Sequence, residues 1–177
     1  SCGPAPQASG PPPVESVSPA AEQVRTTAET WDVNAWAAGL PWTFEVSEAE
    51  ATPSRTVESP EVTRSRFILS TAQPIDGDGT EETFLVVTVD HSVHPSNAEA
   101  ATEFESIAAS ADPDTGLSYA WDLVVLHRNQ LFQMHAPCLV SEANFERMAT
   151  LFTDGVTTGE SASTRVLRCR CGGGCRG

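Results

Sequence analysis

Apolar and polar residues alternate through Trp42-Thr43-Phe44-Glu45-Val46, the period of a half-buried strand. Before it the period is helical. Val24, Ala28, Trp31 and Ala35 fall on one face of a predicted helix from Ala20 to Ala38, which Gly39 and Pro41 end. Residues 47–60 are polar, carry Pro53 and Pro60, and read as a loop. Val62 to Thr71 predicts a strand with Arg64 and Arg66 on one face and Phe67 and Leu69 on the other. Asp76-Gly77-Asp78-Gly79 predicts a turn, and Thr83 to Val89, the most hydrophobic run, predicts a mid-sheet strand.

Ser96 and Glu99 have the spacing of a capping box. The helix that follows, to about Ser110, buries Ala100, Ala101, Phe104, Ile107 and Ala108. Tyr119–His127 and Gln130–Cys138 form a predicted hairpin about Arg128-Asn129, with Asn129 supplying the positive φ of a tight turn. A two-residue loop sets His135 opposite Asp122 and puts Phe132, Met134, Ala136 and Cys138 on one face. Ser141 caps a last helix with an apolar stripe of Phe145, Met148, Ala149 and Phe152.

This pattern predicts three regions. Residues 1–19 are a disordered tether, since 3–19 hold six Pro, three Ser and two Gly and cannot bury enough apolar surface to fold. Residues 20–156 form the folded domain, and 157–177, polar and small, form a flexible tail rich in Cys, Gly and Arg. The expected class is α+β, an antiparallel sheet flanked by helices in an α/β/α sandwich.

The stretches "PWTFEV", "TFLVVTVDHSV", "SNAEAATEFESIA" and "YAWDLVVLHRNQLFQMHAPCLVSEANFERMATLF" stand in a familiar order. Over residues 40–153 the chain resembles the PsbP-like sandwich of photosystem accessory proteins and of bacterial envelope lipoproteins of the DcrB and LpqN type. The helix before Trp42 and the cysteine-rich end depart from that pattern. The resemblance implies a binding or assembly role rather than an enzymatic one.

Charge narrows the choice of partners. The chain carries ten Arg, no Lys and a net charge of −14, which repels a phosphate backbone and argues against nucleic acid. The apolar runs are strand-sized and too short to cross a bilayer. Ser1-Cys2-Gly3 followed by the tether resembles a processed bacterial lipoprotein junction, which implies lipid attachment at Cys2 as the sole link to a membrane. The expected setting is the bacterial cell envelope or the extracellular side, with an envelope protein or a small ligand as partner. The chain has no G-x-S-x-G elbow, P-loop, dinucleotide fingerprint or H-E-x-x-H motif.

Two readings stand for the sulfur-rich end. With Cys2 lipidated, Cys138, Cys169, Cys171 and Cys175 remain, an even number that suits disulfides in an oxidising compartment. Alternatively, Cys169, Cys171 and Cys175 lie among arginines that favour thiolates, and could hold Zn or Cu or exchange thiols, which would make a metal- or thiol-handling protein. A second candidate metal pair is His91 and His94, beside Asp90 in a stretch that Pro95 marks as loop. His127 and His135 read as satisfied rim residues.

Overall fold

The computed structural model describes residues 31–49, 62–73, 84–157 and 163–177. The expected tether, Cys2, the first part of the expected Ala20 helix and the Asp76–Gly79 turn lie outside the described residues. The elements in chain order are α1 (Val33–Ala38), β1 (Phe44–Ala49), β2 (Thr63–Thr71), β3 (Val86–Val93), α2 (Asn97–Ala109), β4 (Trp121–His127), β5 (Gln130–Ala136), α3 (Glu142–Thr157), β6 (Thr164–Cys169) and β7 (Cys175–Arg176). The strands make one seven-stranded sheet, ordered β1-β2-β3-β5-β4-β6-β7, with every pairing antiparallel. The fold is α+β.

Short polar side chains set the helix starts. Ser96 Oγ accepts from Glu99 N at 3.2 Å, and Ser141 Oγ accepts from Asn144 N at 3.3 Å. Asp32 does the same for α1, its Oδ1 accepting from Asn34 N at 2.9 Å and Ala35 N at 3.2 Å. Asp32 is extended, with φ −112° and ψ 107°, so a single helix from Ala20 to Ala38 is corrected: a carboxylate that accepts from the backbone two and three residues on sets the start of α1 at Val33. The hairpin also differs in detail. Arg128, at φ 57°, takes the positive dihedral. Asn129 instead donates its Nδ2 to His94 O at 2.8 Å, tying the turn to the end of β3.

Alternation divides the sheet into two faces. On the first, Val87 and Val89 of β3, Leu123 and Val125 of β4, and Phe132 and Met134 of β5 pack against Trp36 of α1 and Phe145, Met148 and Phe152 of α3. On the second, Val124, Leu126, Leu131 and Leu167 pack against Ala100 and Phe104 of α2. Helices thus lie on both sides of the sheet, and β4, buried along its whole length, runs through the middle. Each fully buried large side chain contributes about 1.5–3 kcal/mol by leaving water.

The flexible tail expected for 157–177 is corrected. α3 runs to Thr157, and β6 pairs with β4 from Thr164 to Cys169, so the folded domain continues past residue 156 to the end of the sheet. Two features order this segment. Leu167 and Cys169 are buried on the second face, and the arginines meet acids on the helices: Arg165 with Glu105 of α2 at 2.5 Å, Arg168 with Glu146 of α3 at 2.6 Å, and Arg170 with Glu142 of α3. Two disulfides, Cys138–Cys171 and Cys169–Cys175, close it.

Candidate functional site

Register lines up residues of the second face in rows. Ser47, Ile68, Thr88, His135, Asp122 and Cys169 are successive partners across six strands. The next row runs Ala49, Arg66, Asp90, Gln133, Val124, Leu167. α2 covers the apolar members, Val124, Leu126, Leu131 and Leu167. Arg66, Thr88, Asp90, Gln133 and His135 are only half-buried, and they form a polar floor beside the helix.

Two paired groups furnish this floor. Arg66 donates Nε to Asp90 Oδ1 at 2.6 Å and Nη2 to Oδ2 at 2.8 Å, a bidentate pair that raises the guanidinium's already high pKa, chiefly through the hydrogen bond to Asp90. Asp122 is buried, with 1% of its side chain exposed, beside a His135 side chain that is 43% exposed. Its Oδ1 lies 2.8 Å from His135 Nδ1, and its Oδ2 accepts from Ser118 Oγ at 2.7 Å. The hydrogen bond to Asp122 raises the His135 pKa above its ordinary value; burial opposes this, and the charges of Asp122 and Asp90 add to it.

Ser118, Asp122 and His135 are the residue types of a nucleophilic triad, but their geometry is different. Ser118 Oγ stands 3.1 Å from Nδ1, the same nitrogen that meets Asp122. A triad places hydroxyl and carboxylate on opposite nitrogens, so that a proton can move through the ring. Here the hydroxyl proton goes to the carboxylate, and Nε2 makes no hydrogen bond among the described residues. The arrangement favours the imidazolium over the neutral ring and leaves Nε2 without a hydrogen bond among the described residues.

The structure separates the histidines expected to share a metal. β3 runs through to Val93, so Asp90 and His91 are strand residues, and His91 and His94 point to opposite faces. His91 stacks on Phe132 with ring centroids 4.3 Å apart and meets Gln130 Oε1 at 2.9 Å. Burial pushes its pKa down to about 4, against the opposing hydrogen bond with Gln130. His94 lies beside α2, its Nε2 3.3 Å from Glu103 Oε2 without the alignment of a hydrogen bond, while Arg64 donates both Nη1 and Nη2 to Glu103 at 3.1 Å. Burial lowers the His94 pKa. The bidentate metal reading of His91 and His94 is therefore corrected by strand parity.

Cys138, Cys169, Cys171 and Cys175, expected as disulfide partners, are all bonded. A bonded sulfur is not a thiolate, so Cys169, Cys171 and Cys175 are not metal ligands in this oxidised form. Among the described residues no group of three or more His, Cys, Asp or Glu side chains is disposed around a metal. Among them, too, no helix is long and apolar enough to cross a membrane. Two disulfides fit an extracellular or envelope protein.

Sequence reasoning placed His135 opposite Asp122 but gave the pair no role, and it missed Ser118 and the Arg66–Asp90 pair as parts of one surface. The signal was available in part. The two-residue turn fixes every partner across the β4–β5 hairpin, and charged residues on the inward side of strands are rare without a partner. What joins Arg66 to Asp90 is the β2–β3 register, and the Asp76–Gly79 turn motif does not set it, because residues on both sides of that motif separate it from the ends of the strands. Comparison with family models, with curated proteins and with solved structures returns no match for this chain.

Proposed function

We propose that this chain is an extracytoplasmic binding protein with a PsbP-like sandwich, anchored in a bacterial envelope by lipid on Cys2. It holds an envelope protein or a small polar ligand on the floor formed by Arg66, Asp90, Asp122 and His135, and it performs no catalysis. The observation that carries the extracytoplasmic reading is the pair of disulfides, Cys138–Cys171 tying the β6–β7 hairpin to the end of β5 and Cys169–Cys175 closing that hairpin, because such bonds form and persist chiefly in oxidising compartments. The Cys-Gly junction and the Pro/Ser stretch after it support the anchor. The floor supports binding, because its charges are already paired and positioned and its hydroxyl is turned away from the ring nitrogen a nucleophile would use.

Thiol counting and mass spectrometry on the untreated native protein test this. The expected result is no reactive thiol and a mass increment of a lipid on the peptide that contains Cys2. An unmodified Cys2 removes the anchor. Four reactive thiols would overturn the whole reading and put in its place a metal- or thiol-handling protein using Cys169, Cys171 and Cys175 with Zn or Cu.

A further inference from the structure

The polar floor has hydrogen-bonding capacity that the fold itself leaves unfilled. Resting on the reading of this floor as a binding surface, we infer that it takes a neutral saccharide. Ring hydroxyls meet Asp90, Gln133, Thr88 and His135, and an apolar ring face lies over Ile68 and Val86.

Three observations carry this. First, unpartnered polar atoms are gathered here within reach of solvent. Among the described residues, the side-chain nitrogens and oxygens that are both buried and unpartnered belong to Trp31, Trp36 and His94. The Thr88 hydroxyl, the Gln133 carboxamide and His135 Nε2 also make no hydrogen bond among the described residues, but their side chains are half-buried and these atoms are open to water. Asp90 keeps 40% of its side chain exposed. Its oxygens accept from Arg66 and can accept again, since a carboxylate has about four lone-pair sites.

Second, register sets these groups in two close pairs. Thr88 lies opposite His135, and Asp90 opposite Gln133, on the neighbouring strands β3 and β5. Paired side chains start about 4.5–5.5 Å apart and the two rows lie about 7 Å apart, the scale of one sugar ring with its hydroxyls. Asp90 and Gln133 put an acceptor beside a group that both donates and accepts. That suits adjacent ring hydroxyls, each of which gives one bond and takes another. An extended peptide turns successive backbone groups to opposite sides and pairs along a sheet edge, so it fits this face poorly. Ile68, opposite Thr88, and Val86, 43% exposed, lie on the same face and offer apolar contact to the C–H face of the ring.

Third, charge selects the ligand. Arg66 is bound to Asp90 through two hydrogen bonds, and His135 is held to Asp122. A charged ligand would meet opposite charges that already have partners, and would have to displace or desolvate them. What stays unfilled is neutral capacity: a hydroxyl, a carboxamide, a ring nitrogen and spare carboxylate lone pairs. The net charge of −14 further disfavours an anionic sugar.

NMR titration of the full chain, following the Gln133 side-chain amide and the His135 ring, tests this. The probes are the neutral sugars maltotriose, cellotriose, mannotriose and tri-N-acetylchitotriose, with trigalacturonate as the anionic comparison. At least one neutral sugar should shift both signals saturably at millimolar concentration, and trigalacturonate should bind at least several-fold more weakly. Gln133→Ala and Thr88→Val should each weaken that sugar about three- to tenfold, the value of one hydrogen bond, with the melting temperature nearly unchanged. Stronger binding of trigalacturonate at the same signals overturns the neutral class but keeps the floor as a binding surface. Shifts elsewhere that survive both substitutions overturn the inference and take the ligand off the floor. No shift with any sugar also overturns it, while thiol counting and the mass of the Cys2 peptide judge the extracytoplasmic reading independently.

Discussion

On one face of the sheet His91 lies flat on Phe132 under the edge of Trp31; on the other His135 stands half in solvent with its Nδ1 against Asp122. The two residues belong to β3 and β5, neighbours in one sheet, and their acid–base behaviour is opposite. Burial drives the His91 pKa down to about 4, while a carboxylate raises that of His135. The difference follows from what covers each face. Helices α1 and α3 lay aromatic and aliphatic side chains over the first, which leaves no room for a counter-charge. Helix α2 covers part of the second, and beside it charges can be kept because they are paired and hydrated. The same strands build both surfaces, so the titration of the polar floor is separable from the packing of the covered core.

The largest expected contrast is between adjacent residues. Phe132→Ala opens a cavity in the sealed core and should cost about 3–5 kcal/mol in chemical denaturation, whereas Gln133→Ala, one residue on and facing the open side, should cost about 0.5 kcal/mol. Equal costs would break the division into sealed and open faces. The disulfides extend the comparison, since Cys171 packs against the sealed core and Cys169 and Cys175 belong to the other. Cys138–Cys171 spans 33 residues and Cys169–Cys175 spans 6, so replacing the first pair with serine should cost about 4 kcal/mol and the second about 2 kcal/mol. A larger loss from the short loop would show that packing of Cys169, not chain closure, sets the ranking.

A third contrast is in pH. His91 is neutral in the fold down to about 4, while the unfolded chain binds its proton near 6.5. Between these values the unfolded state holds more protons, so stability falls as pH drops through the window, by about 3 kcal/mol in all. His94, also lowered by burial, acts in the same direction. Denaturation midpoints from pH 7 to pH 4 should show this loss, and His91→Phe, which keeps the stack on Phe132, should remove most of it. An unchanged slope in that variant would mean that the sealed face is not what disfavours the charged imidazole.

Much of this arrangement is legible in the chain. The caps at Ser96 and Ser141, the hairpin about 128–129 and the apolar stripes of α2 and α3 follow from local spacing, which is where sequence patterns are strongest. The misreadings arise where a distant partner decides. Thr164 to Cys169 shows no apolar–polar alternation, since Val166 and Leu167 are adjacent, and its arginines find acids on two helices remote in sequence. With helices over both faces of the sheet, each face of β6 takes an apolar residue and an arginine, so the period of a half-buried strand is lost. His91 reads as loop because Pro95 lies near, but pairing with Phe132 on β5 and Ser65 on β2 carries the strand through to Val93. Among the site residues, Asp122 and His135 were paired by turn length alone, while Arg66 and Asp90 needed the sheet order that no local signal provides.

The smallest predicted effect separates the two faces most directly. With its folded pKa raised, His135 contributes stability that is fully present below the ordinary value near 6.5 and is lost as pH rises through the folded pKa. The side chain is 43% exposed, so water screens the pair and the stability change should be slight. The titration itself is the better readout. In a two-dimensional NMR titration His135 should protonate above 6.5 and His91 near 4 in the same sample. Asp122→Asn removes the charge but leaves the burial, so the His135 midpoint should fall below its wild-type position while His91 stays where it is. If both histidines moved, the faces would be coupled through the strands, and the open floor could not change its charge without disturbing the core. If only His135 moved, a partner that reads the imidazolium on that floor would lose affinity as pH rises through its pKa, with the melting temperature nearly constant.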